Sequence, residues 1–225
     1  MNSIEIIQNI NTIYDRFFIT PNLREHMLRA ASVGKQICEH WQGPKINKED
    51  IIAVLLIHDL GNIVKMDLET ETGLKILGKE AQNIGHWKKI KKEIIQKYGY
   101  DDHEVTEKMA NELNMSKQLI FILNHKILLK NDFILNSNDY NIKIAAYCDQ
   151  RIGPFGILPL KVRFAEIKER YGKRTGTNLN TPKLDFFMEC GIKIEEQIFQ
   201  HLKITPDNIN DQSIVSYFKS FQQKD

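Results

Sequence analysis

Apolar residues recur along this chain at intervals of three and four, with polar residues filling the gaps. In "PNLREHMLRAASVGKQI" Leu23, Met27, Ala30, Ala31 and Gly34 trace one stripe. In "HWKKIKKEIIQK" Ile90, Ile94 and Ile95 alternate with lysines at 88, 89, 91, 92 and 97. Both have the period of an amphipathic helix, and the second has a solvated basic back. Patterning of this kind predicts helices at 3–17, 21–41, 48–58, 71–80, 85–98, 102–113, 116–128, 138–150, 159–171, 182–202 and 211–222. Three starts are marked. Thr20-Pro21 and Thr181-Pro182 each offer an N-cap followed by Pro at the first helical position, and Asn47 with Asp50 resembles a capping box. No alternating strand pattern of useful length competes, so the predicted class is all-α. Pro and Gly gather in "RIGPFGILPL" (151–160), and "YGKRTGTNLNTP" (171–182) is polar; both are predicted turns.

Composition narrows the picture modestly. A chain of 225 residues suits one hydrophobic core, so a single domain over 1–225 is expected. No stretch reaches the roughly 18 apolar residues of a membrane span, and "MNSIEIIQNINTIYDRF" lacks the basic start and apolar run of a signal peptide. A cytoplasmic protein without a membrane partner is therefore expected. Cys38, Cys148 and Cys190 are far apart and show no CxxC spacing, which makes them reduced core thiols and not a disulfide framework or thiolate zinc site. A net charge of +2, with its densest lysine run on a helix back, does not suggest nucleic-acid binding.

The chemistry concentrates at helix ends. In "LLIHDLGNIVK" (55–65) an apolar helix runs into His58-Asp59 and stops on Gly61. Successive helical residues point about 100° apart, so the two side chains could converge only where the helix ends. Two readings are open. The pair either binds a metal, for which imidazole and carboxylate are suitable ligands, or is a helix C-terminus whose Asp caps the next element. His26 lies beside the buried stripe of its own helix, where a lone histidine is more often a satisfied core residue. Asp149 closes the apolar run "NIKIAAYCDQRIG", at a helix end whose dipole disfavours an anion unless something positive compensates. One ion would answer both carboxylates.

The order His26, His58-Asp59, Asp149 resembles the "H…HD…D" signature of the HD superfamily of metal-dependent phosphohydrolases, from about Thr20 to Arg170. The resemblance implies an HD-type helical bundle with its core at about 20–170, a helical insertion between Lys65 and His103, and a C-terminal helical extension at about 181–222. It implies that His26, His58, Asp59 and Asp149 bind a divalent transition metal (Mn, Fe, Co, Ni or Zn). His103 and His125, in "DDHEVTEKMANELNMSKQLIFILNHK", resemble the extra histidine pair of two-metal subgroups and would hold a second ion, bridged by Asp59, or substrate phosphate. Lys65 and Arg151 resemble the basic residues that HD enzymes set on substrate phosphate; each could equally be a surface charge, and Arg24 and Arg29 are weaker candidates. His40 and His201 read as capping or stacking residues. His86 falls on the insertion, a possible two-helix lid.

Several departures bear on substrate. Asn62 stands where nucleotidases of the HDxxE type carry Glu, no Glu-Asp pair follows as in guanosine-tetraphosphate hydrolases, and the Gly-Tyr-Pro triplet of cyclic di-GMP phosphodiesterases is missing. The expected activity is hydrolysis of a phosphoester or phosphoanhydride of a small molecule, a nucleotide by preference, with a water activated by one or two ions. The alternatives are a diadenosine tetraphosphate-type hydrolase and a non-catalytic HD module that holds a metal or nucleotide. The long helix "PKLDFFMECGIKIEEQIFQHL" could pack on the core of a monomer or join a homodimer.

Overall fold

The computed structural model describes residues 1–172 and 181–222. Its first helical stretch is split: α1 (Ser3–Gln8) and α2 (Ile10–Arg16) meet at Asn9, whose φ of −106° and ψ of 17° break the helical run predicted at 3–17. α3 (Pro21–His40) begins at Pro21, but the Thr20 side chain makes no capping hydrogen bond and its hydroxyl lies 3.9 Å from Met66 Sδ. α4 (Lys48–Ile57) starts on half of the expected box. Asn47 accepts from the Asp50 amide at 3.2 Å, while the Asp50 carboxylate takes the Ser3 hydroxyl, and the Asn47 amide donates to Asn141 Oδ1 at 2.7 Å. The cap is thus spent on joining α1, α4 and the start of α10 (Tyr140–Gln150).

α4 is the centre of the molecule. Ile51, Ala53, Val54, Leu55, Leu56 and Ile57 are all fully buried, as expected of a helix whose last seven residues are all apolar. α1, α3, α10 and α8 (Lys117–His125) surround it, and the Tyr14 hydroxyl reaches in to donate to Leu56 O at 2.7 Å. Burying such a side chain stabilises by about 1.5–3 kcal/mol, so this helix is a rigid base for whatever its end carries.

The insertion forms α5 (Glu71–Leu77) and α6 (Ile84–Tyr98). Trp87, Ile90, Ile94 and Tyr98 face inward, Lys88, Lys89, Lys92 and Lys97 outward, and half-buried Lys91 donates to Met66 O at 2.7 Å. α7 (Asp102–Glu112) precedes α8, and α9 (Asn131–Asn136), absent from the predicted elements, follows it. The predicted turn at 151–160 contains a two-residue antiparallel pair, β1 (Ile152–Gly153) with β2 (Gly156–Ile157). α11 (Leu160–Gly172), α12 (Thr181–Phe199) and α13 (Val215–Gln222) complete the order; most of the predicted polar turn at 171–182 lies outside the described residues. The protein is all-α apart from that hairpin, and among the described residues no helix is long and apolar enough to cross a membrane. The three cysteines are buried thiols; burial pushes Cys38 up to about 12, far from reactivity at neutral pH.

One hydrophobic cluster runs from Ile6 to Phe221, so the C-terminal extension shares the core. Arg151 ties it there. The guanidinium is 2% exposed and donates to the Tyr147 hydroxyl, to Leu158 O, to Pro206 O at 3.4 Å and to Ile209 O at 2.9 Å, with Glu195 at 3.8 Å. This corrects the expectation that Arg151 clamps substrate phosphate. Its donors are committed to buried carbonyls that have few other means of satisfaction. Arg151→Met should therefore lower stability by about 3 kcal/mol or more in urea denaturation, because those acceptors and Glu195 lose their partner. Wild-type stability with reduced turnover would return the residue to the site.

Candidate metal centre

His26 projects from the second turn of α3, beside buried Leu23, Met27 and Ala30. His58 is the C-cap of α4, and its side chain is fully buried. His58 Nδ1 lies 2.7 Å from Leu55 O. A carbonyl only accepts, so Nδ1 carries a proton and Nε2 points to the opposite side, where it can serve as a metal ligand. There it meets His26 Nε2 at 3.1 Å. Asp59 Oδ2 comes within 3.5 Å of His26 Nε2 and 3.7 Å of His58 Nε2. Asp149 Oδ1, from the last turn of α10, lies 3.4 and 3.0 Å from the same two nitrogens.

Donors that share one ion at about 2.0–2.2 Å stand roughly 3–3.5 Å apart, which these spacings match closely. The donor set, two imidazole nitrogens and two carboxylates, suits a borderline divalent transition ion. His26, His58 and Asp59 form the one cluster of three or more metal-ligating side chains among the described residues. Asn62 donates from its amide nitrogen to Asp59 Oδ2 and leaves its buried Oδ1 without a donor among the described residues. The residues present fit a metal.

Gly61 lets the turn form. A Cβ there would sit 2.6 Å from Asp102 O and 2.7 Å from the Thr106 amide nitrogen, and the Gly61 amide donates to Thr106 Oγ1 at 2.9 Å. Glycine is needed for this close approach of α7 and not for an unusual φ.

Both carboxylates are ionised. Burial raises the Asp149 carboxyl, but Lys126, His58 and hydrogen bonds with the histidines outweigh it and hold the group well below the usual carboxylate range. Burial likewise raises Asp59, and His58 and His26 bring it below its ordinary value. The compensating cation at the end of α10 is Lys126, whose Nζ lies 2.7 Å from Asp149 Oδ2 with a side chain only 5% exposed. Sequence reasoning missed it. The signal was present: Leu119, Ile122, Leu123 and Lys126 follow the spacing i, i+3, i+4, i+7 on the buried face of α8.

A narrow cleft next to the cluster is lined by His58, His103, Thr106, Leu123, Asn124, Lys126 and Ile127. His103 therefore reaches the site, although half its side chain faces solvent. His125 does not line this cleft. It donates from Nδ1 to Phe121 O at 2.8 Å and stacks with Phe121 and Phe133 at 4.2 and 5.3 Å. The structure thus brings His103, but not His125, to this cleft. Lys65 Nζ lies 2.5 Å from Asp102 Oδ2, and His103 Nε2 stands 4.0 Å from the same oxygen, which puts Lys65 at the rim. Arg24 pairs with Asp15 at 2.7 Å and Arg29 with Glu25 at 3.1 Å. His40 bonds to Gln36 O, and His201 stacks on Trp41 and bonds to Tyr140, as their positions suggested.

Residues 23–127 match the family model of the HD domain. This segment of the chain is an HD domain. Searches of curated proteins and of solved structures each gave no significant match. The matched span holds His26, His58, Asp59, His103 and Lys126 and ends before Asp149, which the fold delivers to the HD pair from α10. HD domains are typically metal-dependent phosphohydrolases, and the His26, His58 and Asp59 group can hold the metal such chemistry requires.

The close approach at the HD turn has a measurable consequence. Gly61→Ala should cost about 1–3 kcal/mol by overpacking against α7 and weaken metal binding by displacing Asp59. Urea denaturation and metal titration read the two effects. Unchanged values in both would mean that the turn is not seated on α7.

Proposed function

We propose that this HD protein hydrolyses a phosphoester or phosphoanhydride bond of a small phosphorylated molecule, with nucleotides the first class to test. The observation that carries the reading is that Asp59 and Asp149 each bring a carboxylate oxygen within 3.0–3.7 Å of the paired Nε2 atoms of His26 and His58, beside a narrow cleft lined by His103 and Lys126. Those four residues would hold one divalent ion. When bound, such an ion supplies positive charge to phosphoryl oxygens and makes water acidic enough to attack at neutral pH.

The remaining work belongs to the chain. The Leu55 carbonyl fixes the His58 tautomer so that Nε2 faces the site. Asn62 holds the Asp59 carboxylate, and Lys126 holds one oxygen of Asp149, so both ligands are oriented before anything binds. His103 and Lys126, on the cleft wall, are placed to meet phosphate oxygens, with Lys65 at the rim behind Asp102. Anionic oxygens arriving there would meet fixed positive groups in a partly dry site, where such contacts are strongest.

Asp59→Ala tests the ion. Elemental analysis of the folded variant should find no metal, and a screen of phosphate esters and nucleotides with Mn2+, Co2+ or Ni2+ should find no turnover. The metal-free variant should be at least as stable as the metal-free parent, since a half-buried anion beside Asp149 is removed. Full metal occupancy in it would overturn the assignment, and a parent that binds metal but hydrolyses no phosphate ester would point to a non-catalytic HD module.

His103→Ala tests the wall. One contact to charged phosphate is worth about 1.5–3 kcal/mol, so kcat/KM should fall roughly 10- to 100-fold with metal content retained. His125→Ala should leave both unchanged, and the reverse pattern would show that the roles of the two histidines have been exchanged.

A further inference from the structure

Asp149 divides its carboxylate between two cations. Oδ1 faces the histidine nitrogens at 3.0 and 3.4 Å, whereas Oδ2 takes the Lys126 ammonium at 2.7 Å. Lys126 is 4% exposed and lines the same cleft as His58, whereas His26 does not line it. We infer that this ammonium occupies the place of a second metal ion, so that the site binds a single divalent ion and Lys126 sets that number. The inference rests on the metal reading above and specifies its nuclearity.

Ligand supply points the same way. Of the cleft residues, only His58 and His103 are of metal-ligating type, and His58 is already turned toward His26. Asn124 is engaged through its amide nitrogen with Glu107 Oε2 at 3.0 Å, and His125 is stacked between Phe121 and Phe133. A second ion would have His103 and a shared carboxylate, and could add Asp102 only by breaking its 2.5 Å pairing with Lys65, which leaves it short of the three or four protein ligands such ions take. Charge adds to this. Two carboxylates balance one divalent ion, and the ammonium then leaves the site one positive charge in excess. A further dication would bring the excess to three in a largely buried volume, where like charges repel strongly. The fixed ammonium also does part of what a second ion would, by presenting positive charge to an incoming phosphate without needing to be loaded.

The test counts ions directly, using equilibrium dialysis of the full chain with Mn2+, Co2+ and Zn2+ in parallel, followed by elemental analysis. Wild type should saturate at one ion per chain. Lys126→Met keeps the stem's packing and deletes the charge, and it should bind its first ion roughly tenfold or more tightly, because a repelling ammonium has gone and Asp149 Oδ2 is released. Lys126→Arg keeps the charge and should remain at one ion with near wild-type affinity. Two ions per wild-type chain would overturn the inference, as would an unchanged or weaker first-ion affinity in folded Lys126→Met. If Lys126→Met does not fold, as judged by circular dichroism, the wild-type count and Lys126→Arg still decide it. Failure of wild type to bind any of the three ions would instead overturn the metal reading itself.

Discussion

Two half-buried carboxylates set beside two imidazoles at helix ends need cations close by, and the arrangement around this site follows from that constraint. Asp149 sits at the negative end of α10, which disfavours it by about 0.3–1 kcal/mol, but its loss of water is the larger cost, several kcal/mol per ion. The helix dipole is thus a minor part of the problem. Lys126 answers one oxygen of Asp149, and the amide of Asn62 answers one of Asp59. What remains is a pair of imidazole nitrogens with a carboxylate oxygen from each aspartate 3.0–3.7 Å away, for which a metal is a fitting partner.

The site can be tight because its base is. From Ala53 to Ile57 α4 is fully buried, so the position of its C-cap is set by packing that solvent does not loosen. His58 inherits that rigidity, and its ring is locked further by the Leu55 carbonyl. Gly61 then lets α7 close over the turn and brings His103 to the cleft with Thr106. Residues on three separate helices and one turn meet without any of them needing a flexible loop.

The cations divide into those that build the fold and those that face the cleft. Arg151, two residues from Asp149, holds the segment at 206–209 against the core through carbonyl contacts. Its neighbour in space, Tyr147, is kept protonated by burial, so that arginine and phenol form one hydrogen-bonded anchor. Lys126 faces the cleft instead, and the difference between the two lies in which acceptors surround each charge, carbonyls for one and a carboxylate for the other.

Local pattern determined the helices, the all-α class and the identity of the HD segment, because apolar spacing and the His58-Asp59-x-Gly61 turn are written in neighbouring residues. It also marked His26, His58, Asp59 and Asp149 as the group to watch. Reading failed where position depended on a partner distant in the chain. Arg151 looked like a clamp because it follows Asp149, but the carbonyls that take its donors lie at 158, 206 and 209. His125 looked like a ligand because it is a histidine at a helix end, yet one residue of helical rotation put Lys126 in the cleft and His125 against Phe121. Asn9 broke a helix and Asp50 left its capping box for reasons of packing among α1, α2 and α4. Sequence alone specifies which face of each helix is buried; which charge finds which acceptor is decided only when those faces meet, since electrostatic partners inside a protein are set by distance in space.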